Sequence, residues 1–277
     1  MNENRVLQMD KVRKTYRVGP LGKKTTMYAA KDVDLTVRPN TVMGLVGESG
    51  SGKSTLGRLA IGLIRPTSGA IECVGENIVT LRGERLRKHR LRMQMIFQDS
   101  GSSLNPRMTL QELLEEPLVV QRQGNTAERQ RRVTKVADEV GLSHRYLTRL
   151  PHEFSGGQRQ RISIARALIL EPEFIVADEP VSALDVSVQA QVLNILKDIQ
   201  EDRGLSMLFI SHDLSVVNFI SDEVTVLLRG EVVERGQAGD IMRSPQNSYT
   251  QTLVNAAHMG DLGDVKPGHS QSELSTD

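Results

Sequence analysis

One stretch limits how this chain can fold more than any other: Gly47-Glu48-Ser49-Gly50-Ser51-Gly52-Lys53-Ser54. It lies between two apolar segments of different period. Thr41–Val46 before it is a short strand-like run, and Leu56, Leu59, Ala60 and Leu63 after it recur at helical spacing. Strand, glycine-rich turn and helix in immediate succession form a phosphate cradle. Glycines let the backbone come close and turn its N–H groups inward. The helix start adds unpaired N–H groups and a positive dipole end. Lys53 supplies a mobile charge for β and γ phosphates, and Ser54 a hydroxyl ligand for Mg²⁺. An ordinary Gly/Ser turn is the bland alternative, and the flanking strand and helix argue against it.

Further strand-like runs are Val33–Val37, which alternates with Asp34 and Thr36, Ala70–Val74, Phe174–Ala177, Leu205–Ile210 and Val224–Leu228. Between Phe174–Ala177 and Leu205–Ile210, a helix puts Val188, Val192, Ile195, Leu196 and Ile199 on one face. Gly204 sits where a left-handed helix end is expected. Strands alternating with helices predict an α/β fold with a mainly parallel sheet covered on both faces. From about Arg82 to Ile164 the pattern is mainly helical, broken at Pro106, Pro117, Gly124 and Pro151, and reads as an insertion. The Gly-, Ser- and Asp-rich segment 260–277 is expected to be a disordered tail.

Composition narrows the functional classes. The 277 residues carry 35 Lys+Arg against 34 Asp+Glu, a net charge of +1, which disfavours a dedicated nucleic-acid binder. With 3% aromatics and no Trp, a stacking platform for single strands is not expected either. The single cysteine, Cys73, allows no internal disulfide and suits a reducing compartment. No apolar run approaches the ~18 residues needed to span a bilayer. Met1-Asn2-Glu3-Asn4-Arg5 is not the apolar stretch of a secretory signal. The expectation is a cytosolic chain that meets a membrane only through partners.

Two other places carry chemistry. Phe174-Ile175-Val176-Ala177-Asp178-Glu179 is a buried-strand pattern ending in two acids, which delivers carboxylates to the sheet edge where α/β ligands bind. Asp178 is placed to hold Mg²⁺, and Glu179 to act as general base on a water. Ser155-Gly156-Gly157-Gln158 opens a helix bearing Ile162, Ala165 and Ile169, and its Ser and Gln form a capping box. The two glycines cost helix stability, which makes sense if a ligand must come close. One nucleotide need not touch both helix starts within one chain; a partner chain can supply the second.

In order, the phosphate loop at Gly47–Ser54, Gln98, Phe154-Ser155-Gly156-Gly157-Gln158, Asp178-Glu179, Ser182-Ala183-Leu184-Asp185 and Ser211-His212-Asp213 resemble the ATPase subunit of an ATP-binding-cassette transporter. The likeness runs from about Arg5 to Ala257. It implies a P-loop NTPase (RecA-like) core with a mainly parallel sheet, an N-terminal antiparallel β region and an inserted α-helical subdomain. The core would span about 1–97 and 166–235, the helical subdomain 98–165 and a C-terminal extension 236–259. The resemblance implies ATP and Mg²⁺ as ligands, with Thr55 completing the phosphate loop. Gln98 would sense Mg²⁺ and the lytic water, Asp185 would couple two nucleotide sites, and His212 would contact the γ-phosphate and orient the water with Glu179. Tyr16 stands where the family stacks an aromatic on adenine, with Tyr28 its local competitor. The family works as a head-to-tail dimer that sandwiches each ATP between one chain's P-loop and the other's Ser155–Gln158 segment.

Within the family the chain is similar to the oligopeptide, dipeptide and nickel uptake branch. Phe97-Gln98-Asp99 with Ser103-Leu104-Asn105-Pro106-Arg107, and Ser244-Pro245 with Tyr249-Thr250-Gln251-Thr252-Leu253, carry that likeness. Ser100-Gly101 replaces the usual Pro-Tyr, Asn247-Ser248 the usual His-Pro and Val181 the usual Thr. The branch implies a non-identical second ATPase, two permease subunits, an extracytoplasmic solute-binding protein and a place on the cytoplasmic face of a bacterial inner membrane. The C-terminal cysteine cluster of some members is missing, so no iron–sulfur site is expected. Rival readings are an exporter subunit, a soluble ATPase of the same class in DNA repair or translation, and a regulatory ATP binder. The basic run Arg85–Arg92 reads as a solvated helix face, and Cys73 as a small buried strand residue. Of six histidines only His212 has a motif around it, and the others read as surface positions.

Overall fold

The computed structural model describes residues 5–20, 25–98 and 104–262. The expected branch residues Asp99 to Ser103, and the tail from 263 on, lie outside the described residues.

Two sheets carry the chain. The first contains β1 (Leu7–Val18), β2 (Thr25–Val37), β4 (Ser68–Cys73) and β5 (Glu76–Asn77) in the order β2-β1-β4-β5, all antiparallel. The second has the order β10-β9-β3-β8-β7-β6, from β3 (Val42–Val46), β6 (Met93–Ile96), β7 (Phe174–Asp178), β8 (Ser206–Ser211), β9 (Glu223–Leu228) and β10 (Glu231–Gln237). It is parallel except for the β9–β10 hairpin.

The parallel sheet is buried on both faces, which is why its strands read as unbroken apolar runs. Val42 and Val46 of β3, Ile175 and Ala177 of β7, and Met207 and Phe209 of β8 join one core with the helices. Their alternate neighbours Met43, Leu45, Phe174, Val176, Leu208 and Ile210 join the other, with the antiparallel sheet and α1 (Lys53–Ala60).

α2 (Gly83–His89) leads into β6. The helical block is α3 (Leu110–Val120), α4 (Thr126–Glu139) and α5 (Gly156–Leu168), followed after β7 by α6 (Val186–Arg203). The remaining helices are α7 (Leu214–Ile220), α8 (Ala238–Arg243) and α9 (Ser248–Leu262).

Within the mainly helical stretch lies the short strand β6, just before Gln98. The structure corrects several expectations. Pro117 lies inside α3 and does not break it, because Leu113, Leu114 and Leu118 around it are anchored in the core. Leu63 is off the α1 face and exposed: Gly62, at φ 65°, ends the helix first. His89 is buried, its Nε2 2.8 Å from the Cys73 carbonyl oxygen. Residues 260–262, expected as tail, belong to α9. Cys73 itself is buried in β4, where burial pushes its thiol up. In the basic run, Arg87 pairs with Glu84 and Arg92 with Glu173, while Arg90 bonds the Gly62 carbonyl.

Candidate active site

Because β3, β6, β7 and β8 run parallel in register, their C-terminal ends share one edge. Val46 pairs with Ser211, Asp178 with Ile210, and Ile96 with Ala177. The residues that follow are therefore neighbours: Gly47 after β3, Gln98 after β6, Glu179 after β7 and His212 after β8. This is the sheet edge at which α/β folds hold their ligands.

The glycine-rich loop is braced from behind by backbone. A side chain at Gly47 would meet the Leu227 carbonyl oxygen at 2.1 Å, and one at Gly52 the Ala29 carbonyl oxygen at 2.0 Å. Gly230 N–H donates to the Ser51 carbonyl at 2.8 Å, and Ser51 N–H to that of Glu48 at 3.1 Å. Gly50, at φ 80°, has nothing within 4 Å of where a side chain would go, so the loop is open there. Gly52 caps α1 without a side-chain bond, and the first turn, Lys53-Ser54-Thr55, holds no acid, so the positive end of the helix is left for an anion.

Lys53 is only 4% exposed. Its ammonium donates to the carbonyls of Gly47 at 2.6 Å and Glu48 at 2.9 Å. Burial pulls its pKa below the ordinary lysine value, against the attraction of Glu179, Asp178 and Glu48. Ser51 Oγ is buried without a hydrogen-bond partner among the described residues. A buried cation, an orphaned hydroxyl and open helix N–H groups fit a polyphosphate.

Ser54 Oγ donates to Asp178 Oδ1 at 2.8 Å. Asp178 is 3% exposed, and burial raises its pKa, opposed by the Ser54 bond and Arg58. Two hard oxygen donors held together at a phosphate loop suit Mg²⁺.

Beside them, Glu179 occupies the left-handed region at φ 48°, a conformation that side chains rarely adopt and that concentrates at functional sites. Its N–H donates to Ile210 O at 2.9 Å, and Ser182 Oγ donates to its carbonyl at 3.2 Å. Gln98 Nε2 donates to Glu179 Oε2 at 3.1 Å, and His212 Nδ1 lies 3.3 Å from the same oxygen. The turn bearing His212 is fixed on both sides. Ser211 Oγ accepts from Asp213 N–H at 3.0 Å, and Asp213 Oδ1 caps α7 through Ser215 N–H at 2.8 Å.

The Ser155–Gln158 capping box is formed: Ser155 N–H donates to Gln158 Oε1 at 3.0 Å and Gln158 N–H to Ser155 Oγ at 3.3 Å. A side chain at Gly157 would meet Val188 Cγ1 of α6 at 2.3 Å, so packing within the chain also favours a glycine there; Gly156 has ordinary room, 3.6 Å from Leu184. Asp185 starts α6 without a side-chain cap bond. Tyr16 is 37% exposed on β1, with Lys14 Nζ 5.1 Å from its ring centroid. Lys14 also bonds the Arg65 carbonyl beyond α1, whereas Tyr28 faces Lys31 and a cleft lined by Arg13, Asp32 and Glu231.

Comparison with known proteins identifies the family. The pattern described as ABC transporter matches residues 30–182. This chain belongs to the ABC transporter family. The ABC chain is 46% identical over 259 residues, 92% of itself and 83% of the relative, to an oligopeptide transport ATP-binding protein OppF of Streptococcus mutans. Against OppF of Bacillus subtilis the identity is 47% over 253 residues, 90% and 81% of the two chains. The ATP-binding cassette MJ0796, solved as a dimer in a post-hydrolysis state with ADP and Pi, superposes with TM-score 0.75. It shares 31% identity and covers 84% of this ABC chain and 98% of its own. The fold is the P-loop cassette with its antiparallel and parallel sheets, as expected. Among the described residues no helix is long and apolar enough to cross a membrane.

Sequence reasoning missed how the phosphate loop is braced. Ala29, Leu227 and Gly230 act through backbone atoms, which leave no signature in residue type. It also assigned no role to Tyr249, whose hydroxyl accepts from Glu48 N–H at 2.9 Å.

Proposed function

We propose that this ABC-family chain is the ATP-hydrolysing subunit of an importer, energising the uptake of oligopeptides or dipeptides through partner membrane subunits. The import and peptide assignments rest on the names of its relatives. Nickel or a related small solute remains a substrate class of the same branch. The observation that carries the catalytic reading is the meeting of Gln98 and His212 on one oxygen of Glu179, beside the Ser54–Asp178 pair.

In this reading the loop Gly47–Thr55 binds the triphosphate of ATP through backbone N–H groups and Lys53, and Tyr16 stacks on adenine. Mg²⁺, held by Ser54, Asp178 and Gln98, would neutralise phosphate charge. Glu179 accepts the proton of the attacking water, and His212 and Gln98 hold its carboxylate in place. Ser155, Gly156, Gly157, Gln158 and Asp185 act on the nucleotide of a second ATPase subunit, non-identical and arranged head to tail. ATP touches both halves only when they are closed, and cleavage removes that bridge.

The core spans about 1–97 and 166–235, the helical subdomain 98–165 and the C-terminal extension 236–259. The assembly would add two permeases and an extracytoplasmic solute-binding protein, at the cytoplasmic face of a bacterial inner membrane.

The test is to purify the chain with its membrane partners and measure Mg²⁺-dependent ATP hydrolysis and uptake of labelled peptides and of nickel. Hydrolysis with peptide uptake that vanishes in Lys53→Ala supports the proposal. Peptide uptake unaffected by Lys53→Ala overturns it.

A further inference from the structure

We propose that Tyr249, in the C-terminal extension, is a positioning residue for the phosphate loop and sets its affinity for ATP. The inference rests on the reading of Gly47–Thr55 as the ATP cradle.

The argument turns on a single peptide unit. Glu48 N–H donates to Tyr249 Oη at 2.9 Å. The carbonyl of the same peptide, Gly47 O, accepts from Lys53 Nζ at 2.6 Å. The described residues contain no cis peptide bond, so this N–H and C=O point in opposite directions within one plane. The phenol therefore grips one side of the peptide and the phosphate-binding lysine rests on the other. Gly47, at φ 155°, offers little resistance of its own to rotation of that plane. Lys53 holds its carbonyl side, and the hold on its N–H side comes from outside the loop.

Tyr249 is itself held. Asn247 Oδ1 accepts its N–H at 2.9 Å. The turn before it is anchored on β10, where the Glu234 carboxylate accepts Gln246 N–H at 2.7 Å and Asn247 N–H at 3.0 Å. Its ring packs, partly buried, against the larger core. β10 pairs with β9, and the β9–β10 hairpin also braces the loop, through Leu227 O behind Gly47 and Gly230 N–H on Ser51 O. One hairpin thus fixes the back of the phosphate loop and the tyrosine that fixes its first peptide. With Oη gone, the Gly47–Glu48 peptide can turn and Lys53 loses its fixed rest, so the cradle must be reordered when ATP arrives. The binding step carries that cost; the groups that attack phosphorus are untouched.

The experiment is Tyr249→Phe in the full chain with its partner subunits, with Lys53→Ala alongside. Tyr249→Phe keeps the ring and removes only the oxygen. It is expected to raise KM for ATP about three- to tenfold with kcat within about twofold, and to weaken binding of a fluorescent ATP analogue by the same factor. A loss of kcat at unchanged KM overturns the inference. So does analogue binding equal to wild type where Lys53→Ala binds none. Normal binding by Lys53→Ala would instead overturn the ATP reading beneath it. Should Tyr249→Phe fold poorly, hydrogen exchange in the wild-type chain decides: the Glu48 amide is expected to be protected, and exchange at the rate of an open loop overturns the inference.

Discussion

His212 Nδ1 lies 3.3 Å from Glu179 Oε2. The contact bridges two neighbouring strand ends, since His212 follows β8 and Glu179 follows β7. Gln98, after β6 on the far side of β7, reaches the same oxygen at 3.1 Å. A carboxylate gripped from both flanking strands and held at φ 48° suits the proposed role of general base. Glu179→Gln keeps the shape and an acceptor oxygen for Gln98 but removes the basic site. Expected are unchanged ATP binding, hydrolysis lower by at least about 10²-fold, and a dimer that stays closed in ATP and Mg²⁺. Steady-state kinetics and size-exclusion chromatography check this, and turnover at the wild-type rate would refute the role.

Gly157 and Val188 are the second telling pair. A methyl at Gly157 would stand 2.3 Å from Val188 Cγ1, so buried Gly157 or half-buried Val188 has to shift. Gly157→Ala is expected to cost about 1–3 kcal/mol of stability by overpacking. Val188→Ala in the same chain removes the offending methyl and should restore most of the loss. Thermal melts of the two single variants and the double variant give the coupling. Additive losses would mean the glycine is required by something other than Val188.

Much of this is legible in the sequence. The phosphate loop, the acid pair and the histidine turn are strings of adjacent residues, and adjacency in sequence suffices to place them on strand ends. Their convergence on Glu179 was available only through the family likeness, because it depends on strand order. Pro117 misled because a local breaker was outweighed by buried leucines on both sides. Gly157 carries a demand invisible in sequence, since its Cβ position abuts Val188, 31 positions on.

The site predicts a narrowed pH range. Burial raises Asp178 and lowers Lys53 from their ordinary values. Asp178 must be ionised to hold a cation, so the acid limb of kcat/KM for ATP should fall at a pH above that of an ordinary aspartate. Lys53 must be charged to attract phosphate, so the alkaline limb should fall at a pH below the ordinary ~10.4 of lysine. Lys53→Arg, which stays protonated, should extend the alkaline limb upward even if the rate drops. A pH profile at saturating Mg²⁺ checks both limbs, and an alkaline limb unmoved by Lys53→Arg would assign it to another group.

Ser155 separates capping from contact with a second chain. Its hydroxyl accepts Gln158 N–H at 3.3 Å and so closes the first turn of α5. Ser155→Ala loses only that bond, at about 1 kcal/mol of stability. Ser155→Arg loses the same bond and adds a long cation at the positive end of the helix, where it repels the dipole and fills the space a partner's phosphates would need. If the hydroxyl serves only its own helix, both variants should hydrolyse ATP in proportion to the folded protein. If a partner's nucleotide docks there, Ser155→Ala should keep most of its turnover, and Ser155→Arg should lose dimerisation and turnover while still binding ATP as a single chain. The head-to-tail sandwich requires the second pattern. Calorimetric ATP titration and ATPase rates on the two variants distinguish them, because a folding defect lowers the number of binding sites whereas a blocked seam leaves it intact.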